Sequence, residues 1–345
     1  MDDKKLQELQ DIVDTYNSNK SIRATSFEFN TTRSTIRNKL KLANELGIGL
    51  TDTYSVAEKI DDDIPVDEIV DHLQKRFQQR KKNKESKKWQ NINMKTNEPI
   101  ALVWMGDPHI DDNYCDWDAL KRDLSIIQSS PNIYGCNLGD LQNNWIGRLS
   151  RLYGEQDTSH KTAWKLVEWL IDEMNPLILI GGNHDMWTGA GDPINWMTMP
   201  HTINEAWEAR ISINFPNGKK CKIHTAHDMS GHSQWNNLHA QGKRAKMGGQ
   251  ADLYISGHKH NWGLAQIEQV ELEKTAWLAR ARGYKYYDTF AMVKGFEQQK
   301  FGQSIIQVID PNSSSEPSWT YCFADAQEGA DYLNYRLEKY NAERN

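Results

Sequence analysis

No apolar run in these 345 residues approaches the ~18 that a membrane-crossing helix needs, so no membrane partner is expected. The opening decapeptide, MDDKKLQELQ, is charged where a secretory signal would be apolar. Cysteine is scarce: Cys115, Cys136, Cys221 and Cys322 are scattered and form no CxxC pair. That argues against a disulfide scaffold and a zinc knuckle, and suits a reducing, cytoplasmic setting. Nor is there an excess of positive charge. The 41 Lys and Arg are outnumbered by 47 Asp and Glu, giving a formal net charge of -6. Binding to nucleic acid would therefore have to come from a local patch. No repeat or low-complexity tract is present. What remains, 38% hydrophobic and 26% charged, is the composition of a globular chain long enough for one large domain and a small one.

The texture changes twice along the chain, which divides it into residues 1–50, 51–95 and 96–345. The first zone has helical periodicity and no strand signal. An opening helix places Leu6, Leu9, Ile12 and Val13 on one face, and a short second helix spans about Ser21–Phe29. Asn30-Thr31 supplies a turn and cap, and a third helix starts near Thr32, buries Ile36, Leu40, Ala43 and Leu46, and ends at Gly47. Its other face carries Arg33, Ser34, Arg37, Asn38 and Lys41, side chains that reach phosphates and base edges. Two readings fit: a helix-turn-helix that grips DNA, or a three-helix bundle with a solvated basic face. The middle zone opens acidic (Asp61, Asp62, Asp63, Asp67, Glu68) and turns basic, with eight Lys or Arg and one acid between Lys75 and Lys88. This tract, including Arg80, Lys81 and Lys82, is either a solvated linker helix or an arm that holds phosphates without sequence preference.

From Pro99 short apolar runs alternate with helical stretches, the rhythm of an α/β domain. Strands are expected at Ile100–Met105, Ile133–Leu138, Leu177–Ile180 and Asp252–Ser256, and a hairpin at Pro216-Asn217-Gly218. Each of the four strands ends in a polar cluster: GDPH, GD, GGNHD and GHKH. Open α/β sheets place ligands at such strand ends. Five clusters share one chemistry: Asp107 and His109; Asp140, Asn143 and Asn144; Asn183, His184 and Asp185; His227 and Asp228; His258 and His260. Mixed carboxylate, imidazole and amide donors suit a pair of borderline-hard divalent cations with one bridging carboxylate. Residues two apart just beyond a strand end can both turn toward one centre. Each cluster is weak alone; the order of all five carries the reading.

That order, DxH, GDxxN, GNHD, H and GHxH over about Pro99 to Gln327, resembles the calcineurin-like metallophosphoesterases. The resemblance implies a β-sandwich flanked by helices (α/β/β/α) and two divalent metals, manganese first, with iron, zinc, magnesium or nickel as alternatives. It implies that Asp107, His109 and His260 hold one metal, that Asp140 bridges, and that Asn183, His227 and His258 hold the other. His184 matches the histidine that protonates the leaving oxygen. The family usually has Asp where this chain has Asn143, pairing with that histidine, and Asp185 or a water is the expected compensation. His224, His227 and His232 compete for the fourth motif; His227 is chosen because it ends a strand. With its N-terminal segment the whole chain looks like bacteriophage phosphoesterases that carry a helix-turn-helix, for which the cytoplasm is that of the host.

Thirteen tryptophans is a high count. Trp145, Trp187, Trp235 and Trp262 lie beside the motifs, either as a stacking rim for unpaired bases or as core packing. The segment RARGYKYY, with Arg280 and Arg282, is either a substrate-facing strand or an edge strand. Three functions follow: a DNA phosphodiesterase positioned by the N-terminal module, a small-molecule phosphodiesterase acting on a cyclic nucleotide or nucleotide signal, or a DNA-binding or assembly protein with a weakly active site. DNA and a second copy of the chain are the expected partners.

Overall fold

The computed structural model describes residues 3–49, 64–86, 88–187, 193–286, 289–295 and 299–344. The acidic run Asp61–Asp63 and Tyr287 lie outside them. The chain divides near residue 75 into two compact units.

The small unit contains α1 (Asp3–Asn19), α2 (Ile22–Glu28) and α3 (Arg33–Glu45). Two side-chain caps set the helix starts: Ser21 Oγ accepts from the Ala24 amide and Thr32 Oγ1 from the Thr35 amide. Leu9, Ile12, Val13, Ile36, Leu40 and Ala43 form the core. Two residues expected there are not in it. Leu6 and Leu46 are 47% and 48% exposed, although Ile48, two residues beyond Leu46, packs against this core. Arg33, Ser34, Arg37, Asn38 and Lys41 are all exposed on α3. A further helix, α4 (Val66–Ser86), carries the basic tract, including Arg80, Lys81 and Lys82, and exposes its described side chains.

The large unit is built from twelve strands: β1 (Gln90–Asn93), β2 (Ile100–Met105), β3 (Ile133–Asn137), β4 (Ile178–Ile180), β5 (Ile203–Glu205), β6 (Glu208–Asn214), β7 (Lys220–Ala226), β8 (Leu253–Ser256), β9 (Gly263–Gln269), β10 (Lys274–Arg280), β11 (Ser304–Ile309) and β12 (Thr320–Phe323). Between and after them come α5 (Trp117–Gln128), α6 (His160–Met174), the short α7 (Asn183–Met186) and α8 (Pro193–Met197), α9 (His239–Lys246), α10 (Thr289–Lys294) and α11 (Ala326–Arg344). One sheet has the order β1-β6-β7-β8-β10-β9 and the other β12-β11-β2-β3-β4-β5.

Period-two alternation assigns each strand residue to a layer. In β2, Ile100, Leu102 and Trp104 point between the sheets, where they join Leu138, Ile180, Ile211, Ile223 and Ile255. Ala101, Val103 and Met105 point outward to Leu120, Leu124, Val167, Leu170 and Leu333 on α5, α6 and α11. On the far side of the first sheet, Ala240 and Ala245 of α9 cover Tyr254 and Leu278. The result is a mixed α/β architecture of two six-stranded sheets with helices outside, compatible with the layers that the resemblance implies. The β6–β7 hairpin turns at Gly218, where φ is 87°. The RARGYKYY segment is neither an edge strand nor wholly a strand. Arg280 ends β10, which has β8 on one side and β9 on the other, and Arg282 lies in the loop that follows.

The topology aims six strand ends at one place. Strands β2, β3 and β4 are mutually parallel, as are β7, β8 and β10. Their C-terminal ends carry Asp107, Asp140, Asn183, His227, His258 and Arg280.

A buried carboxylate ties the outer helix layer to this end of the sandwich. Asp123 of α5 is fully buried and accepts from Tyr284 Oη at 2.6 Å, Ser304 Oγ at 2.7 Å and Arg122 Nη2 at 2.9 Å. Asp123→Ala leaves two buried hydroxyls unpaired and is expected to lower unfolding free energy by about 3 kcal/mol. Denaturant titration measures it; a loss within experimental error would show that the network contributes no stability.

Candidate metal centre

Two of the polar side chains converge because their backbones are held in an unusual conformation. Asp107 and His109 follow β2 with φ of 46° and 39°, in the left-handed region that non-glycine residues rarely adopt. Asp140, Asn144, His258 and His260 do the same, at 54°, 39°, 68° and 51°. Six of the ten non-glycine residues with positive φ among the described residues therefore belong to the clusters read from the sequence. Hydrogen bonds between the turns hold them: the Asp107 amide donates to Gly139 O, the His109 amide to Asp140 O, and the His258 amide to Asp107 Oδ2 at 2.7 Å. Two glycines make the approach possible. A Cβ on Gly257 would lie 2.3 Å from Asp107 Oδ2, and one on Gly182 2.1 Å from Asp140 Oδ1.

The donors fall into overlapping groups. Asp107, Asp140, His227 and His258 form one, Asp107, His109 and His260 another, and His109, Asp140 and His184 a third. His227 Nε2 lies 3.1 Å from Asn183 Oδ1, 2.9 Å from His258 Nδ1 and 3.2 Å from Asp140 Oδ2. On the other side His260 Nε2 is 3.7 Å from Asp107 Oδ1, and His109 Nε2 is 4.0 Å from Asp140 Oδ2. His227 Nδ1–H donates to Leu138 O at 2.7 Å, which turns Nε2 into the centre. His224 instead pairs with Glu208 at 2.7 Å. His232 is exposed on the cavity wall.

This donor set fits divalent cations. Asp107 Oδ1 is buried without any hydrogen-bond partner, and lone pairs of imidazole, amide and carboxylate face one another with too few protons to join them. The electrostatics record the same conflict. Burial pushes Asp107 up to about 8, against the pull of His227. Burial alone would lower His227, but Asp140 and Asp107 raise it to about 10. Burial and neighbouring cations hold His258 down to about 4 and His260 to about 3, with His109 well below its usual value. Asp140 lies below the usual carboxylate range: burial opposes this, but His227, His184 and His109 outweigh it.

The surroundings of His184 differ from expectation. The Asn143 side chain does not pair with it. Asn143 Nδ2 donates to Asp112 at 2.7 Å and Gln156 at 3.1 Å, and its Oδ1 faces Lys285 Nζ at 3.4 Å. The partner is the Asn143 backbone carbonyl, which accepts from His184 Nδ1–H. Nε2 is thereby left toward the centre, 3.9 Å from Asp140 Oδ2. Asp185 does not compensate for Asn143 either. Its carboxylate accepts from the amides of Asp140, Leu141 and Gly182, at 2.7, 3.1 and 2.8 Å, and so binds the β3 and β4 turns together.

One cavity of about 740 Å³ opens over the centre. Trp145 and Trp187 line it and flank His184, with ring centroids 5.1 and 4.3 Å away. Trp262 is not on its wall but packs on Gly302, and Trp235 is 94% exposed, so neither completes an aromatic rim. Arg280 and Arg282 do line it. Three residues escaped the sequence reading. Lys285 is a buried cation on the cavity wall, paired with Asp112 at 2.8 Å; its only signal was the mixed cationic and aromatic segment it sits in. Trp207 packs edge-on to His227, and the Leu138 carbonyl sets that histidine's tautomer. Neither had a sequence signal.

No family model matches the chain, and no curated protein matches it. Among solved structures it is similar to wild-type Vps29 complexed with zinc, from Entamoeba histolytica, at 11% identity over 65% of this chain and 97% of that one, with a TM-score of 0.32. GAP50, the anchor in the inner membrane complex of Plasmodium, gives 11% identity over 69% and 95%, with a TM-score of 0.33. A protein of unknown function from Aquifex aeolicus gives 13% over 46% and 78%, with a TM-score of 0.26. Among the described residues no helix is long and apolar enough to cross a membrane.

Cation binding here must expel protons. Asp107 and His227, raised to about 8 and about 10, hold them at neutral pH until a cation takes their lone pairs. Affinity should therefore fall as pH falls. Calorimetric titration of Mn2+ at neutral pH, in buffers of different ionisation enthalpy, should report release of about one to two protons. Heats independent of the buffer would contradict this.

Proposed function

We propose that the chain is a metal-dependent phosphoesterase that hydrolyses phosphodiesters of DNA. The observation that carries the phosphoesterase reading is the convergence of Asp107, His109, Asp140, Asn183, His227, His258 and His260 around one carboxylate, with His184 Nε2 facing it at 3.9 Å. The first metal would be held by Asp107, His109 and His260, the second by Asn183, His227 and His258, with Asp140 between them. Divalent cations there would stabilise charge on a phosphoryl oxygen and supply an acidified water as nucleophile.

The residues divide the remaining work. His184 is oriented by the Asn143 carbonyl, so protonated Nε2 is the position from which a proton passes to a leaving oxygen. Burial lowers its pKa, with Asp140 opposing, so the protonated ring is the stronger acid but the minor form at neutral pH. Trp145 and Trp187 pack on either side of the ring and restrict its orientation. No Ser or Cys nucleophile is called for, and all four cysteines are buried.

Two features support DNA as the substrate. The exposed face of α3 presents Arg33, Ser34, Arg37, Asn38 and Lys41, and α4 adds Arg80, Lys81 and Lys82. Binding through them would depend on salt, because phosphate contacts release counterions. A small-molecule phosphodiester is the competing substrate.

The test is Mn2+-dependent hydrolysis of single- and double-stranded DNA, a cyclic dinucleotide and bis-p-nitrophenyl phosphate. Asp140→Ala should abolish every activity; a fully active variant would remove the site from the reaction. His184→Ala should cost about 10²–10⁴-fold on diesters with poor leaving groups and much less on p-nitrophenyl esters, which need no proton. Equal losses on both would deny His184 the acid role. Arg33→Ala with Arg37→Ala should flatten the dependence of log affinity for DNA on log salt by about 1–2. An unchanged slope, or hydrolysis of the cyclic dinucleotide alone, would reassign the substrate to small diesters.

A further inference from the structure

Five of the six converging strand ends carry candidate metal ligands, but the sixth, β10, carries arginine. Arg280 pairs in register with Ser256, so it emerges beside the Gly257–His260 turn. The loop beyond it rests on the Asp107 turn: the Tyr284 amide donates to Asp107 O at 3.2 Å, and the Arg282 and Gly283 amides to Gly302 O and Gln303 O. Both arginines line the cavity that also contains His109, Asp140, His184, His258 and His260.

Arg280 and Arg282 are 5% and 2% exposed, yet among the described residues neither has a carboxylate within 4.0 Å. Arg280 Nη1 donates to Asn261 Oδ1 at 3.1 Å while its Nε has no partner. Arg282 leaves Nε and Nη2 buried and unpartnered, with the Tyr286 ring 6.0 Å away. Lys285, on the same wall, makes the contrast: its charge is met by Asp112. A buried cation without a paired anion carries a desolvation cost of several kcal/mol, and the more distant Asp228 and Asp107 near Arg280 and Asp116 near Arg282 offset it only in part. The planar guanidinium, with parallel N–H groups, is the side chain best matched to the oxygens of a phosphate.

We infer that Arg280 and Arg282 form a second anion subsite beside the metal centre, which takes a non-scissile phosphate of the substrate. The inference rests on the phosphoesterase reading for its setting and adds a substrate class: phosphoesters that carry another phosphate next to the one cleaved. Two sources share that chemistry, the neighbouring phosphate of a nucleic-acid chain and the terminal phosphate of a small nucleotide.

The subsite can be tested without turnover, on the full chain treated with chelator. Inorganic phosphate should raise the melting temperature of the wild type and stabilise Arg282→Met much less. In the absence of anion, Arg282→Met should melt higher than wild type, by about 2–4 °C, because a buried charge that Asp116 offsets only in part is gone. Arg282→Lys, which keeps the charge but not the fork, should bind phosphate about tenfold more weakly. Undiminished phosphate binding in these variants, or a lower melting temperature of Arg282→Met, would overturn the subsite, since a purely structural arginine behaves that way.

With Mn2+ present, kcat/KM for a 5′-phosphorylated dinucleotide should exceed that for the unphosphorylated dinucleoside phosphate by about tenfold or more. The ratio should collapse in Arg280→Lys with Arg282→Lys. A matching loss on a single-stranded decanucleotide identifies the chain phosphate as the ligand; a loss confined to the dinucleotide identifies the terminal one. A ratio that survives the double substitution overturns the inference. Failure of the wild type to hydrolyse bis-p-nitrophenyl phosphate would instead sink the phosphoesterase reading and leave the phosphate-binding result standing.

Discussion

The two sheets meet chemically at the carboxylate of Asp140. Its Oδ1 accepts from the His184 amide at 2.9 Å, which ties the β3 turn to the β4 turn. Its Oδ2 lies 3.2 Å from Nε2 of His227, which arrives from the other sheet. Its own amide donates to Asp185, whose carboxylate also holds Leu141 and Gly182. Moving this group would disturb three turns at once. The glycine at position 182 is fixed by the same crowding, since any Cβ there would occupy the place of Asp140 Oδ1.

Around that carboxylate the chain accepts two separate costs. One is conformational: left-handed backbone at Asp107, His109, Asp140, Asn144, His258 and His260, roughly 1–2 kcal/mol for each non-glycine residue. The other is electrostatic, with two buried carboxylates and several imidazoles that cannot all take their ordinary protonation states. The hydrophobic sandwich is what sustains both. Trp104, Leu138, Ile180, Ile223 and Ile255 form a closed layer directly below the turns. A rigid base keeps the donors from relaxing apart, so a cation would meet ligands already gathered. Strain at the turns and order in the strands are thus two sides of one arrangement.

The parts that were legible in the sequence share a physical basis. Buried strands read as apolar runs, and a polar cluster directly after such a run can only lie at a strand end; hence Asp107, Asp140, Asn183 and His258 could be placed. The β6–β7 hairpin was legible through Asn217-Gly218, and the start of α3 to within one residue, although its cap is Thr32 and not Asn30-Thr31. The failures have a common basis too. Asn143 acts through its carbonyl, and a backbone group leaves no mark on residue type. Asp185 was expected, with a water as the alternative, to compensate for Asn143 beside His184, whereas three amides claim its oxygens. Trp262 lies two residues after His260 but turns to Gly302, which periodicity does not encode. Leu6 and Leu46 fit the apolar spacing of their helices, yet the core closes on Leu9, Ile12, Leu40, Ala43 and Ile48 without them.

Arg280 and Arg282 show where residue type misleads most. Arginine in a sequence suggests surface, and the RARGYKYY run suggested an edge strand or a substrate-facing one. Placing β10 between β8 and β9 makes its end an interior position, equivalent to those from which His227 and His258 emerge. An interior strand end leaves little solvent for a charge, so the guanidinium groups must be answered by something inside the cavity. Asp112 pairs with Lys285 on the Asn143 side, whereas no described carboxylate lies within 4.0 Å of the arginines beside Asn261 and Tyr286, and Asp107, Asp116 and Asp228 act on them only from farther away. The cavity is therefore electrically lopsided. On the proposed function, a ligand with phosphate at both places would have a fixed direction in it: the reacting phosphate at the Asp140 centre, the second against the arginines, and the leaving oxygen on the side of His184, between Trp145 and Trp187.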